Sequence, residues 1–254
     1  MSLHVETIGS GAPLVLIHGW GMHGGVWGEV AHRLARQYQV HCVDLPGFGT
    51  STALEVTDLD SLVKSLGEYF REPVHVCGWS LGGQVAMRWA LREPSNVRKL
   101  VVVASTPCFT NRVDWTFGMA GEMLEKFAAE LEQNHAATLR RFLSLQLRGS
   151  ESERELLSKL REQLFSRGEP DMSALRGGLE ILRDADQRAE LQFIKQETLV
   201  IAGQRDKLTP PEASYYLEQV IPNARLVEIE GSAHTPFLSH PDIFIEHVKR
   251  FLHE

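Results

Sequence analysis

Ser80 lies in Gly78-Trp79-Ser80-Leu81-Gly82, a G-x-S-x-G pentapeptide. That spacing suits a serine held on a sharp strand-to-helix turn, its hydroxyl standing clear of the backbone as a nucleophile. Side chains two residues before and after it would collide in such a turn, so glycine is needed at both places. A helix opening at the serine also aims its first N–H groups and its dipole at the charge that develops on an attacked carbonyl. The same five letters occur in plain glycine-rich turns. Here they directly follow an apolar run and open an amphipathic one, which is the context that nucleophilic chemistry demands.

A serine hydroxyl needs a positioned base near neutral pH. Of the 11 histidines, His234 stands in Gly231-Ser232-Ala233-His234-Thr235-Pro236-Phe237, after the last strand-like run and before the last helix-like one. That is the C-terminal edge of a parallel sheet, where such sheets bind ligands. Most of the others lie in helix or surface contexts and read as solvated or capping groups. The supporting acid is expected at Asp206, closing Leu199-Val200-Ile201-Ala202-Gly203-Gln204-Arg205-Asp206, where it would fix the imidazole tautomer and stabilise the imidazolium. Aspartates also cap turns, and Asp44, in Asp44-Leu45-Pro46-Gly47-Phe48-Gly49, is read as such a loop-fixing residue. His18-Gly19-Trp20-Gly21 follows the first confident strand. The Trp20 and Leu81 N–H groups are expected to form an oxyanion hole, with the Trp20 indole walling an acyl pocket. Trp79, Phe142 and Phe237 are expected to line the same narrow apolar channel.

The elements that would hold these residues alternate between apolar runs and helix-period segments, the rhythm of an α/β protein with a mostly parallel sheet covered on both faces. Strands are predicted at 14–17, 40–43, 74–77, 100–104, 199–202 and 225–229. Helices are predicted around Trp27 to Ala35, Leu59 to Phe70, Leu81 to Leu91, Pro211 to Val220 and from Pro241. Between about Phe109 and Asp186 no convincing strand is visible, and spacings such as Leu156, Leu157, Leu160 and Leu164 are helical. The expected organisation is a core domain of residues 1–108 and 187–254, interrupted by an all-helical lid at 109–186.

The chain of 254 residues suits one such domain with an insertion. A formal charge of −7 and the lack of a long Lys/Arg run argue against nucleic-acid binding. Cys42, Cys77 and Cys108 share no metal-like spacing, so neither a metal site nor a disulfide framework is expected. No apolar run approaches the ~20 residues that span a bilayer, and no signal peptide is visible. The expectation is a cytoplasmic monomer that needs no cofactor.

Together these residues resemble the α/β-hydrolase superfamily, whose chain order of nucleophile, acid and base is that of Ser80, Asp206 and His234. A closer resemblance runs through His18-Gly19-Trp20-Gly21, Val43 to Gly49, Gly78 to Gly83 and Ala104-Ser105-Thr106-Pro107-Cys108-Phe109. It extends into the insertion with Arg141-Phe142-Leu143-Ser144-Leu145-Gln146 and Gly177-Gly178-Leu179-Glu180-Ile181-Leu182. These look like the pimeloyl-acyl-carrier-protein methyl ester esterases of biotin synthesis. The resemblance implies hydrolysis of a carrier-linked pimeloyl methyl ester, releasing methanol and a free carboxylate. It implies substrate contacts from Trp20, Ser80, Leu81, Phe142, Leu143, Ser144, Leu145, Gln146 and His234; the plainer reading of Phe142, Leu143 and Leu145 is lid core, and Leu143 is read as that.

Other readings share this scaffold, because function lives in the pocket. They are a broad short-chain carboxylesterase, an enol-lactonase and a ligand receptor without turnover. For an acyl carrier protein as transient partner, charge patterning offers a platform. Between Thr138 and Arg167, Arg140, Arg141, Arg148, Arg154, Lys159, Arg161 and Arg167 outnumber Glu151, Glu153, Glu155 and Glu162. Arg140, Arg141, Arg148 and Arg154 are the candidate docking residues, against the plainer reading of a solvated helical face.

Overall fold

A computed structural model describes residues 2–55, 57–151 and 153–254; Met1, the expected start of the core segment, lies outside the described residues. Seven strands form one sheet: β1 (Val5–Ile8), β2 (Ala12–Ile17), β3 (Tyr38–Val43), β4 (Val74–Trp79), β5 (Val97–Val103), β6 (Glu197–Gly203) and β7 (Ala224–Ile229). Their order is β1-β3-β2-β4-β5-β6-β7. β1 alone runs antiparallel, pairing Val5 with Val43 and Ile8 with Val40, while the other neighbours are parallel. The α/β fold class expected from the sequence is therefore observed. Val74 to Trp79 is buried at every position, as befits a central parallel strand covered on both faces.

Helices cross between the strands. They are α1 (Gly28–Leu34), α2 (Leu59–Tyr69) and α3 (Leu81–Arg92), then α4 (Gly121–Gln133), α5 (His135–Leu147), α6 (Glu153–Leu164) and α7 (Met172–Asp184), all four between β5 and β6. The chain ends with α8 (Pro211–Val220), the single turn α9 (Pro236–Ser239) and α10 (Pro241–His253). Local chemistry sets several of their starts. Asp58 and Ser61 close a reciprocal capping box on α2, and proline opens α8, α9 and α10. In α6, Leu156, Leu160 and Leu164 form the buried stripe that the leucine spacing predicts.

Two elements depart from the sequence reading. The edge strand β1 has a burial pattern too exposed to give an apolar run, and its partner is β3 rather than the adjacent β2. The turn α9 is too short to leave a periodic signature. Cys42, Cys77 and Cys108 are free and buried. Burial pushes the Cys42 thiol up to about 12 and raises that of Cys77 as well, so both stay protonated.

Candidate active site

Ser80 joins β4 to α3 at φ 55° and ψ −119°, a conformation that costs a non-glycine residue about 1–3 kcal/mol. Its backbone bonds over-determine that geometry. The Ser80 N–H donates to the Val103 carbonyl at 3.0 Å, and its own carbonyl accepts from Gly83 N at 2.9 Å and from Ser105 Oγ at 2.7 Å. The glycines are there for clearance. A Cβ on Gly78 would lie 2.1 Å from the Gly82 carbonyl, and one on Gly82 would lie 2.4 Å from that of Ile17. Gly83 leaves room for Ser105, whose Oγ would sit 2.5 Å from an added Cβ. The Gly78–Gly83 and Ala104–Phe109 motifs thus interlock.

The three sequence-predicted catalytic residues converge. His234 Nε2 lies 2.9 Å from Ser80 Oγ, and Nδ1 lies 2.7 Å from Asp206 Oδ2. Asp206 and His234 are sealed from solvent, while Ser80 is half-buried. An accepting carboxylate at Nδ1 leaves Nε2 free to take the serine proton. Asp206 is itself held: Oδ1 accepts from Leu208 N at 2.8 Å and Thr209 N at 3.0 Å, and Oδ2 accepts from Thr209 Oγ1 at 2.8 Å. The loops bearing acid and base approach so closely that a Cβ on Gly203 would be 1.9 Å from the Ala233 carbonyl.

Gly19 brings the Trp20 peptide beside the nucleophile, since a Cβ there would lie 3.1 Å from Ser80 Cβ. His18 fixes that peptide. Its Nδ1–H donates to the Gly19 carbonyl at 2.8 Å and its Nε2 accepts from Leu45 N at 2.9 Å. Burial pushes the His18 imidazole down to about 4, so the ring is neutral and keeps this one-donor, one-acceptor arrangement. Leu81 is the first residue of α3, where an N–H has no partner within its own helix. Asp44 binds the Gly24 and Thr50 N–H groups and Arg167, the bonds of a loop-fixing residue.

An apolar cavity of about 300 Å³ opens beside Trp20, between α4, α5 and α7. Trp20, Phe127 and Phe142 meet edge to face or tilted, with centroids 5.1–5.5 Å apart, and Leu145 adds to the wall. Trp20 is pinned by its Nε1–H on the Leu175 carbonyl at 3.0 Å. The other residues of the 142–146 stretch sit elsewhere. Leu143 is buried in the core, Ser144 Oγ turns back to the Arg140 carbonyl, and the Gln146 carbonyl accepts the His234 N–H at 3.1 Å. Successive helical residues point about 100° apart, so one run of five cannot all face one cavity. Trp79 and Phe237, expected in the channel, are fully buried and do not line it. Phe109, Met119, Met123, Leu179 and Leu182 do line it and were missed. Met123, Leu179 and Leu182 belong to apolar stripes at helical spacing, indistinguishable from ordinary packing, and Phe109 and Met119 lie in the irregular segment before α4, which carries no periodic signal.

Of the basic residues on 138–167, Arg167 does not belong to an outer platform: it reaches inward to Asp44 at 2.9 Å and to Glu6. Arg140 lies over the Phe165 ring, and Arg141 pairs with Glu130 at the cavity wall. Arg148 and Arg154 are exposed, with no ion-pair partner among the described residues. No group of residues among those described could hold a metal ion, and no described helix is long and apolar enough to cross a membrane.

Comparison with known proteins bears on this geometry. The family model of the alpha/beta hydrolase fold matches residues 12–241. A pimeloyl-[acyl-carrier protein] methyl ester esterase from Nitrosomonas europaea is 43% identical over 244 residues, covering 96% of this chain and 97% of its own. One from Aeromonas salmonicida is 41% identical over 254 residues, covering 99% and 100%. An esterase structure from Exiguobacterium antarcticum superposes with a TM-score of 0.91 at 26% identity, over 99% of this chain and 96% of its own. An enol-lactonase from Burkholderia xenovorans, at 22% identity and TM-score 0.86 over 99% and 96%, shares the fold. The chain therefore belongs to the α/β-hydrolase family and, within it, to the pimeloyl-[acyl-carrier protein] methyl ester esterases.

Proposed function

We propose that this protein is a serine carboxylesterase that demethylates a pimeloyl-[acyl-carrier protein] methyl ester in biotin precursor synthesis. The observation that carries the reading is the hydrogen-bonded chain Ser80–His234–Asp206; Trp20, whose preceding residue Gly19 packs against Ser80, links it to the apolar cavity of about 300 Å³ that would take the acyl chain. His234 Nε2 takes the Ser80 proton as Oγ attacks the ester carbonyl. The Trp20 and Leu81 N–H groups receive the developing oxyanion. His234 returns the proton to the departing methoxide, and methanol leaves. Water, deprotonated by the same imidazole, then cleaves the acyl-enzyme and frees the carboxylate. Asp206 holds the imidazole and stabilises its cation throughout. Every step is served by the chain's own residues.

In this reading residues 109–186 act as a lid over a core of 1–108 and 187–254. The lid's Phe142 and Leu145 contact the acyl chain, and Gln146 touches the base through its carbonyl. Leu143 and Ser144 support α5 rather than the substrate. Arg140, Arg141, Arg148 and Arg154 present a basic face to an acidic carrier, and the enzyme meets that carrier as a cytoplasmic monomer. The broad-carboxylesterase alternative differs in one measurable respect, the preference for the carrier-linked ester.

The test couples labelling to turnover. A serine-directed fluorophosphonate is expected to modify Ser80 stoichiometrically. Ser80→Ala is expected to abolish labelling and to lower kcat by several orders of magnitude while the fold is retained. The wild type is expected to show a higher kcat/KM for the carrier-linked methyl ester than for simple methyl esters. Label at another serine overturns the nucleophile, and equal kcat/KM for both substrates favours the broad carboxylesterase.

A further inference from the structure

We propose that Trp79 is a positioning residue for the base: its indole N–H, one residue before the nucleophile, fixes the His234 carbonyl and so holds the imidazole between Ser80 and Asp206. The proposal rests on the reading of Ser80 as nucleophile and His234 as base.

His234 lies in the irregular link between β7 and α9. A residue in such a link takes its precision from anchors rather than from a helix or strand. Its ring bonds to Ser80 and Asp206 set the imidazole only if the backbone carrying it is also fixed. That backbone is gripped on both sides: the N–H is bound by the Gln146 carbonyl at 3.1 Å, and the carbonyl accepts Trp79 Nε1–H at 2.7 Å. Trp79 is fully buried. An indole N–H is a donor only, and it is costly to bury unpaired, so this bond ties the ring to one place. The ring is also wedged. Its centroid lies 5.7 Å from that of His234 and 5.1 Å, edge-on, from that of Phe237. On the other flank, a Cβ on Gly19 would sit 3.1 Å from the six-membered ring of Trp79. One rigid side chain, covalently adjacent to the nucleophile, thus sets the base loop relative to the oxyanion loop. A phenyl or aliphatic residue would fill the space without the donor.

The cleanest test deletes the donor and keeps the shape. Replacing Trp79 by 3-benzothienylalanine puts sulfur where the indole N–H was; Trp79→Phe is the accessible companion. A core truncation on α2, Leu66→Ala, reports how far kcat falls when stability alone is lost. Fluorophosphonate inactivation kinetics and a small methyl ester are used as probes. Misplacing a catalytic group by a fraction of an ångström lowers rates by about tenfold to a hundredfold. The benzothienyl protein is expected to lose about that much in kcat and in the inactivation rate constant, with KM within about twofold. Its melting temperature should stay above that of Leu66→Ala, whose kcat should be near wild type. Unchanged kcat and inactivation rate in the benzothienyl protein overturn the proposal, even if Trp79→Phe fails to fold. So does a loss of kcat matched by Leu66→Ala. Labelling of wild-type Ser80 separates these outcomes from a failure of the underlying reading: without it the nucleophile is wrong, and with it only the role of Trp79 is at stake.

Discussion

Asp206 and Asp44 are both buried aspartates near histidines, and the bonds they accept separate their roles. Asp44 spends Oδ1 on Gly24 N and Arg167, and Oδ2 on Thr50 N. Burial alone would raise its carboxyl, but these backbone N–H groups and the Arg167 guanidinium hold it below the usual range. Asp206 spends Oδ1 on two backbone N–H groups and keeps Oδ2 for His234 and the Thr209 hydroxyl. Asp206→Asn presents an amide where His234 needs an acceptor or leaves the ring in the wrong tautomer. It is expected to lower kcat by about 10³–10⁴-fold, with the fold intact. Asp44→Asn is expected to keep kcat within a few-fold while losing about 1–3 kcal/mol of stability, read by denaturant unfolding. The reverse pattern would make Asp44 the catalytic acid. The triad could be read from sequence because a nucleophile turn tolerates few residue types and because each partner follows a strand-like run. Thr209 could not be, since a threonine three residues after an aspartate has no distinctive pattern until the loop folds back.

Helices α4 to α7 do more than cover the sheet, because each loop of the site leans on their segment. α7 receives the Trp20 indole at the Leu175 carbonyl. α5 ends on the His234 N–H, and the link after it binds Arg205, next to Asp206, through the Gly149 carbonyl at 3.2 Å. The two glycines of α7 divide the labour. A Cβ on Gly178 would lie 2.5 Å from Trp20 Cδ1, whereas one on Gly177 would lie 2.4 Å from Thr57 Cβ. Alanine in a helix interior is intrinsically favoured over glycine by about 1 kcal/mol. That gain only partly offsets the overpacking, so Gly178→Ala is expected to lower stability modestly while displacing the Trp20 wall and lowering kcat/KM about tenfold or more. Gly177→Ala is expected to lower stability as well, by wedging α7 from the Thr57 loop, but with little change in turnover. Equal effects from the two would mean that Gly178 serves only helix packing. This pair also shows where legibility stops. The strands and main helices were readable because periodicity and burial coincide. Gly177 and Gly178 were visible as a motif, but the clearance each provides depends on residues more than a hundred positions away. Likewise Phe142 and Leu143 look alike in an amphipathic helix, and only the packed bundle shows which faces the cavity.

At the scale of the whole molecule, charge decides how an acidic partner could approach. The chain carries −7, which repels a carrier protein of the same sign at long range. The helical segment offsets this locally, although less broadly than composition implies. Arg167 is drawn inward to Asp44 and Glu6, Lys159 is paired with Glu155 and Arg141 with Glu130. Arg148 and Arg154 are exposed and Arg140 caps the Phe165 ring; these three and Arg141 at the cavity wall are the residues the proposed function assigns to a basic face. Pairing does not remove Arg141 from use, because its own side chain is exposed although Glu130 is half-buried, and a guanidinium has donors to spare for a second carboxylate. Steering by such a face acts on association rate and is screened beyond about 8 Å at physiological salt. Raising salt is accordingly expected to lower kcat/KM for the carrier-linked ester severalfold while leaving a small neutral methyl ester nearly unchanged. Reversing Arg148 and Arg154 together to glutamate should reproduce that loss at low salt, without altering kcat for the small ester. The added charge should also flatten or invert the salt dependence, since screening then relieves repulsion instead of weakening attraction. If both substrates respond alike to salt and to the reversal, the face is only a solvated one, and the carrier must be recognised through the cavity mouth alone.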